Sequence, residues 1–397
     1  MAPIFNIKRF MKPKRASQWL REGFNMRVVI AAAGTGGHIN PGIAIANKIM
    51  EKEPNSKIIF IGTGRGLEND LVPRAGYELK KIDAYGINRK INIDNIKRLY
   101  KTIKSVGQAK KILQEFKPDI VIGTGGYICV SVGQAASKLN IPIVLHESNA
   151  FPGVAVKILS KKAKKVLVGF EDAKARLPKA KEVIVTGTPS KISKIRLDEQ
   201  QKQKLKNEMG LKLDMPTILV FGGSQGARSI NEALLGIIEN KLNKKYQIVW
   251  AAGQGNYENI KQELLNKKIN IEDIENTKIL PYIYNMQEVM EMSDLIVSRS
   301  GAMTITEISA LGKPAIFIPF PFATENHQEY NARVLEKVDA AKIILDKDLN
   351  YTTLNDTINE MINDEQKLKQ MGENAYKVAK LNVEDKIYEE ILKAIKK

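Results

Sequence analysis

Six short stretches of this chain, four of them with glycines, place hydroxyl, imidazole or carboxylate side chains where an apolar run ends. The strongest is Thr217–Leu234, in which a buried-strand pattern runs into Gly222-Gly223-Ser224-Gln225-Gly226 and then a helical pattern. Glycines let backbone approach an anion closely, and the first turn of a helix offers unpaired N–H groups and a positive dipole end. Ser224 adds a hydroxyl donor. The loop lacks the lysine of a Walker motif and the spacing of the dinucleotide fingerprint, so the reading is an anion cradle, with a plain strand-to-helix turn as the alternative. The second stretch, residues 31–42, places Thr35, Gly36, Gly37 and His38 after another strand, with Pro41 expected in the first turn of a helix from about 41 to 51. An imidazole there suits either proton transfer or holding the loop.

Gly123-Thr124-Gly125-Gly126-Tyr127 echoes that loop after a third strand. His146-Glu147-Ser148-Asn149 closes the apolar run 141–145, a natural position for polar site residues. Ser300-Gly301-Ala302-Met303 opens a helix carrying Glu307, whose carboxylate could accept two ribose hydroxyls. Thr324-Glu325-Asn326-His327-Gln328 is a polar stretch dense in groups that bond sugar hydroxyls. Asp346-Lys347-Asp348 has the form of a metal-binding D-x-D but reads as surface charge, away from the glycine-rich elements. His38, His146 and Glu147 do not match a zinc spacing, and no metal or other cofactor is expected.

What must position these groups is a repeated strand-loop-helix pattern. Apolar runs at 28–33, 57–62, 119–123, 142–146, 165–169 and 182–186 alternate with amphipathic stretches, and after a charged, helix-prone segment at 191–214 the pattern restarts at 217–221, 247–251, 278–280, 295–298, 315–318 and 341–344. This predicts an α/β protein of two doubly wound parallel sheets, with ligands in the cleft beyond the strands' carboxyl ends. The expected divisions are a basic extension or tag over 1–25, a first domain over 26–190, a second over 191–382, and a C-terminal amphipathic helix over 383–397 with Ile387, Ile391 and Ile395 on one face.

The chain has 397 residues and a net charge of +18. Residues 1–190 hold 33 Lys/Arg against 14 Asp/Glu, so the excess lies entirely in that half. A solvated basic surface accounts for this, as does a face turned to phospholipid or an anionic substrate. Nucleic acid is not expected, because no zinc-finger spacing or aromatic-rich RNA-binding signature is present. One cysteine, Cys129, rules out a disulfide framework, and no apolar run is long enough to span a bilayer.

Taken in order, GTGGHINPG, GLENDLVPRAG (66–76), GTGGY, HESN, GGSQGARSIN, RSGAMTITEI and ENHQEYNA (325–332) resemble the MurG-type family of bacterial glycosyltransferases, within glycosyltransferase family 28. The resemblance runs from about Met26 to the C-terminus. It implies a GT-B fold and inverting transfer of N-acetylglucosamine from UDP-N-acetylglucosamine to the 4-hydroxyl of undecaprenyl-diphosphate-linked muramyl pentapeptide, by a peripheral protein on the cytoplasmic face of the membrane. It also implies that Ser224 holds the donor diphosphate, that the Ile283 backbone faces uracil, that Glu307 meets the ribose, and that backbone donors near Ala302 and Met303 line the nucleotide. His327 and Gln328 would contact the transferred sugar, Thr35, Gly36, Gly37 and Asn149 the sugar or acceptor from the other wall, and His38, or less favourably Glu147, would be the base. Where family members carry Gly-Asn-Pro-hydrophobic-Arg, this chain has Gly187-Thr188-Pro189-Ser190-Lys191. Lys191 keeps the charge near the nucleoside but loses the planar fork. Residues 87–111 mix isoleucines and leucine with lysines and arginine, a candidate membrane contact or a solvated amphipathic helix. Competing readings are a transferase for another lipid acceptor, a UDP-sugar epimerase, and a non-catalytic sugar-nucleotide-binding subunit.

Overall fold

The computed structural model describes residues 25–85, 93–190, 196–223 and 227–396, with the side chains of 93–103 excepted. Seven parallel strands form the first sheet: β1 (Arg27–Ala32), β2 (Lys57–Gly62), β3 (Glu78–Lys81), β4 (Ile120–Gly125), β5 (Ile143–Glu147), β6 (Lys165–Val168) and β7 (Val183–Val185), in the order β3-β2-β1-β4-β5-β6-β7. Six form the second: β8 (Thr217–Phe221), β9 (Gln247–Ala251), β10 (Thr277–Leu280), β11 (Leu295–Ser298), β12 (Ala315–Phe317) and β13 (Ala341–Ile343), in the order β10-β9-β8-β11-β12-β13. Strand β3 is not among the expected runs. Its sequence, Glu-Leu-Lys-Lys, has no apolar run because it lies at the sheet's edge, with two of its three charged side chains paired to each other.

Both sheets are covered on both faces, as parallel sheets require. Val28 and Ile30 face one layer with Phe60, Ile122 and the helix Gly36–Lys52. Val29 and Ala31 face the other, with Ile61, Val121 and the helix Ile128–Lys138. The second sheet repeats the scheme, Val220 and Trp250 packing on the helix Arg228–Glu239 and Leu219 and Phe317 on the helix Ala302–Leu311. Strand order reverses between β1 and β4 in one sheet and between β8 and β11 in the other. At such a reversal the helices leave to opposite faces and open a crevice at the carboxyl edge. The segments that follow β1, β4, β8 and β11 are the four that border these two crevices.

The helix Val383–Lys396 packs on the first sheet although it follows the second in sequence. Val383, Ile387, Ile391 and Ala394 are buried against the layer of Val28, Ile30 and Phe60. Asp385 pairs with Lys48 and Lys52, Glu390 pairs with the nearly buried Lys165, and Tyr388 donates to Glu53. Ile391 is fully buried, so Ile391→Ala should cost about 3 kcal/mol. The check is urea unfolding with hydrogen exchange read separately on β1 and β8. Protection should fall on β1, the sheet remote in sequence, and protection lost only on β8 would contradict this packing.

Candidate active site

Residues 36–52 are helical from Gly36, so His38 lies in the first turn and Pro41 in the second. This corrects the expected start near residue 41. Pro41 cannot donate to the Gly37 carbonyl, but the flanking turns close normally, with the N–H groups of His38 and Ile39 both reaching the Thr35 carbonyl. The β1–β4 register slips by one residue between Ala31 and Ala32, leaving Thr124 as the extra residue. Its hydroxyl donates to the His38 carbonyl at 2.8 Å, fixing the helix start against β4.

The His38 imidazole is half-buried, with Nδ1 3.2 Å from the Ala33 carbonyl oxygen. A carbonyl only accepts, so Nδ1 carries the proton and Nε2 the lone pair. Burial lowers the imidazole's pKa and the Ala33 bond opposes that shift, so the ring is held in its basic, neutral form. Gly125, at φ +126°, supports the other side, where a Cβ would stand 2.2 Å from His38 Cδ2. A Cβ on Gly126 would stand 2.7 Å from the Ala33 carbonyl oxygen that receives Nδ1–H. The glycines of GTGGY therefore give way to the histidine and its partner.

Four helices that begin at the crevices have no side-chain cap: those after Thr35, Tyr127, Ala227 and Gly301. Elsewhere in the second half of the chain Asp198, Asn350 and Asp364 cap their helices, while Asn256, Asn285 and Asn326 do not. Uncapped first turns keep N–H donors for a ligand. Ser224, at the centre of the 222–226 loop, and Lys191 lie outside the described residues, as do residues 86–92 and the side chains of the basic segment up to 103.

The tetrapeptide 146–149 divides into two roles. His146 is fully buried, bonded through Nε2 to the Gly187 carbonyl at 3.1 Å, and burial brings its pKa down to about 4. Glu147 accepts from the Asn149 N–H, the Asn149 amide and the Gly153 N–H at 2.8–3.0 Å. Burial raises its pKa while these bonds oppose the rise. With both oxygens occupied, Glu147 orders the 149–153 loop and is poorly placed as a proton acceptor.

The two halves of the chain meet at Asn331, which is fully buried. Its Oδ1 accepts from the Ala150 N–H at 2.8 Å, and its Nδ2 donates to Asn149 Oδ1 and to the Ser300 carbonyl. Around this link Phe151 stacks on Tyr330 at 4.7 Å, the Arg176 guanidinium covers both rings, and Lys157 pairs with Glu325. Glu325 and Asn326 both adopt left-handed backbone before the helix His327–Glu336. This turn brings His327 within electrostatic reach of Glu147. Gln328 Oε1 accepts from the Phe320 N–H at 3.0 Å, leaving its amide nitrogen as a donor. Ser300 Oγ donates to the Gln328 carbonyl. Met303 faces Asn40, Ile43 and Ala44 across a gap of about 500 Å³. Glu307 lies half-buried on the helix Ala302–Leu311, and Ile283 is buried against its inner face.

Asp346 corrects the reading of the D-x-D as surface charge. It accepts from Ser229 Oγ at 2.7 Å, in the first turn of the helix Arg228–Glu239, and pairs with Arg299, which also donates to Ser229 and to the Ile318 and Pro319 carbonyls. Asp346 is thus built in beneath a glycine-rich element. Only Lys347 and Asp348 are exposed. Two further residues escaped the sequence reading. Asn331 stands one helical turn after His327 within ENHQEYNA, and that spacing was the available signal. Glu68 lies inside GLENDLVPRAG and is fully buried. Its carboxylate accepts from the N–H groups of Gly34 and Thr63 and from Thr63 Oγ1. Burial works against its ionisation, but these bonds prevail and hold its pKa at about 2.

Residues 28–168 match the glycosyltransferase family 28 N-terminal domain, and residues 217–387 match the family's C-terminal domain. A Thermoanaerobacter protein named UDP-N-acetylglucosamine--N-acetylmuramyl-(pentapeptide) pyrophosphoryl-undecaprenol N-acetylglucosamine transferase is 43% identical over 370 residues, 93% of this chain and all of that protein. This chain belongs to glycosyltransferase family 28. The crystal structure of Acinetobacter baumannii MurG shares 29% identity and superposes with a TM-score of 0.76, covering 93% of this chain and 99% of that one. The two sheets are the two halves of a GT-B fold. A UDP-GlcNAc 2-epimerase from Neisseria meningitidis superposes with a TM-score of 0.59 at 18% identity, over 93% and 100% of the two chains, a likeness of fold alone.

Gly125→Ala should displace the His38 ring and lower kcat by about a hundredfold, the scale of a lost acid–base group. UDP affinity, measured by calorimetry, should stay unchanged because the substitution is in the first sheet. His146 yields a pH prediction. Its folded pKa of about 4 lies below the ordinary imidazole value of 6.5, so between these values the unfolded chain binds more protons and stability falls as the pH falls. Urea unfolding from pH 7 to 4 should show this decline, and His146→Gln should flatten it.

Proposed function

We propose that this family 28 glycosyltransferase transfers N-acetylglucosamine from UDP-N-acetylglucosamine to the 4-hydroxyl of undecaprenyl-diphosphate-linked N-acetylmuramyl pentapeptide. Relatives that carry this activity in their names, at 43% identity along their whole length, support the choice of substrates. The observation that carries the chemistry is His38, a neutral imidazole locked through Nδ1 with Nε2 left to act as base. Nε2 takes the proton of the acceptor hydroxyl while its oxygen attacks the anomeric carbon. The bond from that carbon to the β-phosphate oxygen breaks, the electron pair leaves with UDP, and attack from the opposite side inverts the centre. Ser224 and the open first turn of the helix Arg228–Glu239 meet the charge on the leaving diphosphate.

In this reading Glu307 holds the ribose, the Ile283 backbone meets uracil, N–H groups near Ala302 and Met303 line the nucleotide, and Lys191 lies near the nucleoside. His327 and Gln328 hold the sugar, while Thr35, Gly36, Gly37 and Asn149 form the facing wall. Glu147 serves as organiser of that wall. The first domain, 26–190, takes the acceptor and the second, 191–382, the donor. Among the described residues no helix is long and apolar enough to cross a membrane. The basic excess of the first half of the chain supports a peripheral place on the anionic cytoplasmic face of the membrane, where the acceptor's diphosphate is presented.

The test combines the protein, UDP-N-acetylglucosamine and a short-chain acceptor, following UDP release and disaccharide together. Release should depend on the acceptor, and His38→Ala should lower kcat by about 10²–10⁴-fold with UDP affinity retained. Because burial lowers the imidazole's pKa, kcat/KM should be flat above about pH 6.5 and fall only below it. Acceptor-independent UDP release with a C2-epimerised sugar would instead establish an epimerase.

A further inference from the structure

Glu68 has no place in the scheme above, yet it is buried behind the loop that leads into the His38 helix. The Gly34 N–H donates to Glu68 Oε2 at 3.0 Å, and the Gly34 carbonyl accepts from the Leu67 N–H at 3.1 Å. The loop is thus clamped at both polar groups of one residue, itself in left-handed backbone at φ +96°. Glycines make the clamp possible. A Cβ on Gly62 would stand 2.7 Å from Glu68 Cγ, and one on Gly66 would stand 2.3 Å from Glu68 Oε2 and 2.8 Å from Gly34 Cα.

The N–H of Gly34 and the carbonyl of Ala33 belong to the same planar peptide unit. Glu68 holds its N–H, and His38 Nδ1–H is bonded to its carbonyl oxygen. We propose that Glu68 is a positioning residue for His38, acting through the Ala33–Gly34 peptide, a carboxylate–peptide–imidazole relay in place of a direct carboxylate–imidazole contact. The proposal rests on His38 as the base. A carboxylate bonded to the N–H end polarises the peptide and strengthens its carbonyl as an acceptor, since hydrogen bonds in a chain reinforce one another. The need for such help is physical. The imidazolium that forms as Nε2 takes a proton is disfavoured by burial and by its place in the first turn of a helix, where the dipole is positive. Glu68 sets a fixed negative charge one peptide away. The other titratable groups on the elements packed around His38 are Arg65 beside Glu68, and Tyr127 and the buried Cys129 thiol on the β4 side, with Glu147 beyond Cys129. Arg65 is engaged by Asp83 and by the Tyr85 ring, and Cys129 by the Ala31 and Gly125 carbonyls.

The experiment replaces the carboxylate by its isosteric amide, Glu68→Gln, in the full chain. The chain has three histidines, so each imidazole is resolved by NMR with labelled histidine, and the His38 signal is identified by its absence in His38→Ala. The expected result is a lower titration midpoint for His38 with His146 and His327 unmoved, an acid limb of kcat at lower pH, and a kcat reduced roughly tenfold with the donor KM unchanged. Glu68→Asp keeps the charge but withdraws it by one methylene. It should shift the same readouts in the same direction by less, and it stands in for the amide should that variant not fold. A fall in activity with the His38 midpoint and the acid limb unmoved would overturn the relay and leave Glu68 a purely structural residue. Full turnover by His38→Ala would overturn the base assignment and leave the titration result standing, so the two failures are distinguishable.

Discussion

A carboxylate enclosed by backbone donors governs the geometry at the end of β1. Glu68 has lost its hydration, and its three bonds to Gly34 and Thr63 replace it. An ionised group in that position is stable only while all its donors stay in place, because each one lost leaves part of the charge unsolvated. The requirement is mutual: the loop fixes the carboxylate and the carboxylate fixes the loop. The glycines of the first crevice follow from it. Gly62 and Gly66 admit the side chain, while Gly125 and Gly126 admit the imidazole and the carbonyl that restrain each other next door. A loop that is flexible by composition becomes rigid by packing.

Opposite this wall the second sheet uses a different device. Arg299 and Asp346 form an ion pair that takes in Ser229 and two carbonyls at the end of β12, joining the first turn of the helix Arg228–Glu239 to the strand leading to Gln328. The helix Arg228–Glu239 and the segment leading to Gln328 are thus held in one frame. Asn331 then ties that frame to the 149–153 loop of the first sheet. A buried amide that satisfies three backbone or amide partners across a domain boundary specifies one relative placement, since any other leaves polar atoms unpaired.

The sequence makes the repeating architecture legible because strands packed on both faces are short apolar runs, and twelve of the thirteen strands among the described residues lie in such runs. The edge strand β3 is not, and Glu-Leu-Lys-Lys carries no period to detect. At the site, residue types that advertise chemistry are readable: glycines after strands, a histidine among them, a carboxylate on the following helix. Residues that act through backbone are not. Glu68 reads as one more acidic residue at a helix start, because two of its three bonds are to backbone N–H groups, and Asp346 as one of a charged cluster, because its side-chain partners Ser229 and Arg299 lie more than forty residues away. The sequence places His38 ahead of its helix because proline ordinarily marks a first turn, whereas packing of Ile39 and Ile45 on β1 carries the helix through Pro41.

The return of the helix Val383–Lys396 to the first sheet affects the order in which the protein can be completed. Val28, Ile30 and Phe60 lie under that helix, yet on the ribosome they emerge long before it. Throughout synthesis of the second sheet one layer of the first has part of its apolar cover missing. The nascent chain therefore presents a sticky, half-roofed sheet while the second sheet is made, a state that chaperones recognise and that favours association between neighbouring chains. Closure comes only with the last turns, so truncation near the C-terminus injures the domain made first.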